Sequence, residues 1–225
     1  MPKSFLPVVC LSASLLLTAC TSVPLSPETQ RLPERVELSD VPFFQQSDAQ
    51  GGASALAALL NYHGVISSPG LLEQRMQQAG AVSAQAGLEF AARSHDVLVY
   101  PLPASFDALL QQVAAGHPVL VLRNQTLAWP GQQFAILVGY DKRERTLVLR
   151  SGNSRRWHTS FSSFSSGWEE AGRWAVVLTP ADQLPAQPQM QTWLDAAAAL
   201  RDQGRSDAAQ RALRTARQHW PDAQL

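Results

Sequence analysis

The residues best placed for chemistry sit where a polar loop, Gln45 to Gln50, runs into Gly51-Gly52 and an apolar stretch from Ala53 to Leu60. A loop entering a buried helix N-terminus suits a nucleophile, because free N–H groups and the helix dipole lower a thiol's pKa there. Gly51 itself has no side chain to react. Ser54 follows almost one helical turn later, and Ser47 lies in the loop beside Asp48. A serine nucleophile needs an imidazole within hydrogen-bond reach. Of the 5 histidines, His63, His95, His117, His158 and His219, the one on the same predicted helix is His63. It lies about two turns past Ser54, so the pair does not meet. Ser54 is retained as a substitute nucleophile for a hydrolase and is read first as a packing residue. No His-x-x-x-His, Cys-x-x-Cys or acidic calcium loop occurs, and no metal or cofactor is expected. Gly51-Gly52 could cradle an anion at the helix start, but two glycines carry little weight.

The chain that must position these residues has 225 residues, formal net charge +0 and 45% hydrophobic residues. That suffices for one core and an appendage, and the neutral balance argues against a nucleic-acid partner. Both cysteines, Cys10 and Cys20, lie near the N-terminus. Lys3, the apolar run Phe5 to Leu17 and the sequence Leu17-Thr18-Ala19-Cys20 read as a bacterial lipoprotein signal over 1–19, with Cys20 as the lipidated residue. Cleavage before Cys20 would leave a chain with no free thiol. Thr21, rather than Asp, follows Cys20, and the resemblance to sorted lipoproteins then implies the outer membrane, facing the periplasm.

Residues 20–37, with Pro24, Pro27 and Pro33, read as a tether. A domain is expected over 38–180. It opens on a short strand, 41–44, followed by the helix after Gly51. Ser67-Ser68-Pro69 and Ser83 look like helix starts, predicting helices over 71–78 and 83–93. The apolar stripe Phe106, Leu109, Leu110 and Val113 predicts another over 105–115. Strands are expected at 97–100, 119–122, 133–140, 146–150, 156–158 and 173–178, with 161–168 a helix or loop. Helices first and a mainly antiparallel sheet after them make an α+β fold. A proline-rich linker over 181–189 leads to a helical hairpin over 190–225. There Trp193, Leu200, Gly204, Ala209, Leu213, Ala216 and Pro221 fit one tetratricopeptide unit. One such hairpin buries too little to stand alone, so it should dock on the main domain or on a partner.

The segment Phe44 to Ala57, F-Q-Q-S-D-A-Q-G-G-A-S-A-L-A, resembles the nucleophile segment of the bacteriocin-processing (double-glycine) papain-like peptidases, F-x-Q-x-x-x-Q-C-G-P-A-A-L-A. The segments Gly116 to Leu122 and Phe134 to Asp141 are similar to family segments as well. The resemblance implies a papain-like fold over roughly 38–180. By it, Gln46 matches the glutamine that donates to the oxyanion. Gly51 stands where the family has its nucleophilic cysteine. Gln133 stands where it has its histidine, and Asn153 is near the position that orients the histidine. Glutamine accepts no proton at neutral pH, and the members of such a site act as a unit. The expected protein is therefore an inactive peptidase-like lipoprotein whose cleft, lined by Gln46, Gly51, Gln133 and Asn153, binds a peptide or protein partner in the periplasm. The rival expectations are an assembly or scaffold protein working through its helical tail, and a hydrolase using Ser54.

Overall fold

The computed structural model describes residues 23–45, 51–124 and 131–222. The predicted lipidation site Cys20 and the predicted oxyanion donor Gln46 lie outside the described residues. The centre of the molecule is a 7-stranded sheet. Its strands are β1 (Arg35–Glu37), β2 (Val97–Pro101), β3 (Val119–Asn124), β4 (Gln132–Asp141), β5 (Thr146–Ser151), β6 (Ser154–Ser160) and β7 (Ala175–Pro180). They run in the order β2-β7-β3-β4-β5-β6, with β1 added onto β4. Every pairing is antiparallel.

The sheet is covered on both faces, and the alternation along its strands assigns each side chain to a layer. Leu120 and Leu122 of β3, Phe134 and Ile136 of β4, and Val176 and Leu178 of β7 face one core. That core is completed by α2 (Gly51–Tyr62), α3 (Pro69–Gln78) and α4 (Ala84–Arg93). Val119, Val121, Ala135, Leu137 and Val177 face the other way, toward α5 (Phe106–Ala114) and α6 (Phe161–Glu170). Helix α2 is buried on all sides from Gly52 to Leu60, which explains why its apolar run shows no polar face. It packs on β4 and β5, with α3 and α4 alongside.

A β-bulge between Leu137 and Gly139 shifts the phase of β4 by one residue, so that Tyr140 joins the α5–α6 side. Gly139 is where β1 crosses. A Cβ there would lie 2.6 Å from the Val36 carbonyl oxygen, so only glycine admits the crossing.

Two expectations need correction. Residues 23–37 are docked along the domain rather than forming a free tether. Ser26 caps the short helix α1 (Pro27–Gln30), and its own N–H donates to Asp107 Oδ1 at 3.0 Å. Lys142 Nζ donates to the carbonyls of Thr29, Gln30 and Leu32 at 3.3, 2.8 and 2.6 Å. Arg145 donates to the Val23 carbonyl. Prolines, which read as linker residues, here start α1 at fixed φ. The second correction concerns 41–44, which is not a strand. Val41 is wholly buried, but Pro42 has no N–H for a ladder, and the pairing is made upstream by β1.

The C-terminal hairpin, α7 (Met190–Asp202) and α8 (Ser206–His219), closes a third core over the outer face of β2, around Leu98 and Tyr100. Trp193 is fully buried between its helices and donates from Nε1 to the Ala212 carbonyl at 2.8 Å. Arg205 pairs with Asp96 at 2.6 Å, and Gln203 donates to the Phe90 carbonyl at 2.7 Å. The linker is packed too. Gln112, buried in α5, bonds both the N–H and the carbonyl of Ala186, and Tyr100 accepts from the Gln189 N–H. The hairpin thus docks on the main domain.

Candidate functional site: a cleft at the start of the first buried helix

The first turn of α2 meets the start of β4 at one end of the sheet. Between them and the α3–α4 pair lies a cleft of about 400 Å³. Gly51, Gly52 and Ala53 form one wall, and Gln132, Gln133 and Phe134 the other. Glu73, Met76 and Gln77 of α3 line it from the side, at the i, i+3, i+4 spacing of one helix face. Gly87 of α4 lets that helix close in, since a Cβ there would lie 3.3 Å from the Met76 carbonyl oxygen. Gly52 plays a similar part, with Phe134 and Met76 at 3.1 and 3.2 Å from where its Cβ would be. The cleft floor is therefore aromatic and thioether surface beside the start of α2. The N–H groups of that first turn have no acceptor inside the helix.

Gln133 is the hinge of the site. It also lines a second recess, of about 360 Å³, with Arg123, Ser151, Asn153, Ser154 and Trp157. Its Nε2 lies 3.3 Å from where a Cβ on Gly152 would stand, and Gly152 holds a positive φ of 56°. The structure thus brings Gly51 and Gln133 to one cleft and Gln133 and Asn153 to the adjoining recess. A bulge in the β5–β6 pairing between Leu149 and Ser151 throws the Gly152–Asn153 turn toward Gln133.

Ser54 is placed away from this chemistry. It is 1% exposed, and its hydroxyl donates to the Gln45 carbonyl at 3.3 Å. Neither recess has a histidine or cysteine among its described lining residues. His117, before β3, is buried, and His63, just past the end of α2, is half-buried. Burial holds both below the ordinary histidine range. Among the described residues no group of three metal-ligating side chains forms, and no helix is long and apolar enough to cross a membrane.

Several lining residues escape a reading of the sequence. Glu73 and Met76 are betrayed only by their shared helix face. Arg123 ends an apolar strand and reads as a solvent-facing terminus, yet it is 6% exposed and lies under the Trp157 ring at 4.3 Å to the centroid.

No family model matches the chain, and no curated protein matches it. Solved structures do. A Bacillus anthracis protein described as a C39-like peptidase superposes with a TM-score of 0.55 at 19% identity, over 65% of this chain and 98% of that one. The peptidase domain of Streptococcus ComA, a bifunctional ABC transporter of a quorum-sensing pathway, superposes with a TM-score of 0.50 at 17% identity, over 62% and 98%. The fold is therefore that of the C39 papain-like peptidases, with the α7–α8 hairpin beside it. Both neighbours are covered almost completely, and about a third of this chain lies outside the match.

Proposed function

We propose that this protein is a catalytically inactive peptidase-like lipoprotein, anchored through Cys20 to the periplasmic face of the outer membrane, that holds an extended peptide segment in the cleft without cutting it. The observation that carries this reading is the meeting of Gly51 and Gln133 across the cleft. On this fold a thiolate and an imidazole are expected to face each other there. Here Gly51, which has no side chain, and Gln133, whose amide takes no proton at neutral pH, line the same cleft. The only cysteines of the chain, Cys10 and Cys20, belong to the leader and the anchor.

What remains suits binding. A peptide carbonyl can accept from first-turn N–H groups of α2, which have no acceptor within the helix, and Gln133 offers both a donor and an acceptor to a peptide backbone. Phe134 and Met76 provide an apolar floor for one side chain. The rival reading, an assembly or scaffold protein working through its helical tail, would use the outer surface of the docked α7–α8 hairpin.

The test is a peptide array probed with the full chain in detergent. Wild type should retain a subset of extended peptides uncut, and Gly51→Trp, which fills the cleft, should lose them. Cleavage of any retained peptide by the wild type, or retention undiminished in Gly51→Trp, would sink the reading.

A further inference from the structure

The recess beyond Gln133 contains a charge that the described protein does not balance. Arg123 is 6% exposed, and among the described residues it has neither a hydrogen-bond nor an ion-pair partner. Its Nε is fully buried and unsatisfied. The Trp157 face at 4.3 Å accommodates the cation in part. The segment that follows, residues 125–130, reads QTLAWP and has no acidic residue. Arg150, one strand pair away, shows how this protein treats a buried guanidinium it does not expose to a ligand. Arg150 donates to the carbonyls of Leu38, Ser39 and Arg155 at 3.3, 3.1 and 3.2 Å. Among the described residues Arg123 has no such carbonyls. A buried, unpaired guanidinium is costly, and native proteins pair such groups.

The rest of the recess is built for an acceptor. Ser151 is 7% exposed, and its hydroxyl is buried without a partner. The amides of Asn153 and Gln133 line the same space. We infer that this recess binds a carboxylate, held by the Arg123 guanidinium with Ser151 and Asn153 as further donors. One unpaired cation calls for one negative charge. A guanidinium fork matches the two oxygens of a carboxylate, and the common wall, Gln133, joins the recess to the cleft. The carboxylate would be carried by the bound peptide, as its C-terminus or as an aspartate or glutamate side chain. That last step rests on the peptide-binding reading; the anion site itself does not.

The experiment uses the full chain in detergent and three small probes. They are N-acetyl-dialanine as the free acid, the same compound as its C-terminal amide, and N-acetyl-aspartate amide. Binding is read from tryptophan emission, with Trp157→Phe identifying the responding ring. At least one acid should bind and the neutral amide should bind about tenfold or more weaker, in line with loss of a charge-assisted hydrogen bond. The acid that binds names the source of the carboxylate. Arg123→Met should abolish acid binding and raise the melting temperature, because it removes an unpaired buried charge without removing the packing. Equal binding of acid and amide, absence of binding by either acid, or acid binding that persists in Arg123→Met would each overturn the proposal. Should Arg123→Met fail to fold, the acid-against-amide comparison in the wild type still decides. Acids that bind while no long peptide does would leave the anion site standing and refute the peptide reading alone.

Discussion

Arg123 and Gln133 are directly opposed partners in the β3–β4 ladder, so their side chains stand on the same face of the sheet, next to each other. The guanidinium is desolvated, and burial lowers its pKa. A histidine in place of Gln133 would stand beside an unpaired buried cation. Its imidazolium form would be disfavoured, and with it the thiolate–imidazolium pair on which a papain-like site depends.

That relationship predicts the outcome of an attempt to restore chemistry. With Gly51→Cys and Gln133→His together, the introduced thiol should react with iodoacetamide faster than a free thiol but slowly for a site of this fold. Adding Arg123→Met should raise the rate further and move its pH midpoint down, because the imidazolium is no longer opposed. The measurement is the alkylation rate against pH, with the chain that retains Gly51 and Gln133 as the background control. A triple variant no faster than the double one would show that Arg123 does not act on position 133. No reaction in either would mean that positions 51 and 133 do not face each other closely enough for proton transfer.

The hairpin makes a separate prediction about stability. Trp193 is fully buried, bonds the Ala212 carbonyl, and belongs to the core that includes Leu98 and Tyr100 of β2. Trp193→Ala should cost about 3–5 kcal/mol, the usual range for a buried tryptophan truncated in a packed core. Because β2 is an edge strand of the central sheet, the loss should appear as one lowered transition in urea, followed by both far-ultraviolet circular dichroism and tryptophan emission. Two separated transitions would show that the hairpin folds as an independent unit.

Much of the architecture is legible in local patterns. Ser83 before Ala84 and Ser68 before Pro69 mark helix starts, and the apolar runs at 119–122 and 133–140 appear as strands slightly longer than expected. What is not legible depends on contacts distant in sequence. The docking of residues 23–37 is decided by Lys142 and Asp107, each lying more than 80 residues away from the groups it bonds. Val41 contributes to the core without any strand pairing, so period-2 alternation says nothing about it. The adjacency of Gly51 and Gln133 follows from the family resemblance rather than from spacing. Arg123 is hidden for a physical reason. A terminal arginine on an apolar strand normally reaches solvent, and here Trp157, a residue of β6 two strands over from β4, covers it.

Acid sensitivity should arise first from histidines away from the cleft that burial holds low: His95, and the two near the end of α2 and the start of β3. His63 is held below its ordinary value of 6.5 by burial, and His117 adds to the effect by its charge, while a backbone hydrogen bond with Leu178 works the other way. Its Nε2 is buried without a partner. His117 is 6% exposed and is likewise lowered by burial. The aromatic neighbour of His63 is Tyr62, edge-on at 5.3 Å between ring centroids, whose hydroxyl donates to the Gly116 carbonyl. In the unfolded chain both imidazoles take up protons near pH 6.5; in the folded chain they do so only at lower pH. Between those values the unfolded state binds more protons, so stability rises with pH there and is lost as pH falls from about 6.5. The Glu37–Arg156 pair acts in a lower window. The hydrogen bond from Arg156 holds Glu37 below its ordinary 4.5, so its contribution persists until the pH drops beneath that value. The melting temperature should therefore begin to fall between pH 7 and pH 5, before the carboxylates titrate. A His63→Gln, His117→Gln variant should be less stable at pH 7.5 but flatter across that window, and Glu37→Gln should leave the window unchanged. An equally steep decline in the histidine variant would assign the acid sensitivity to other groups.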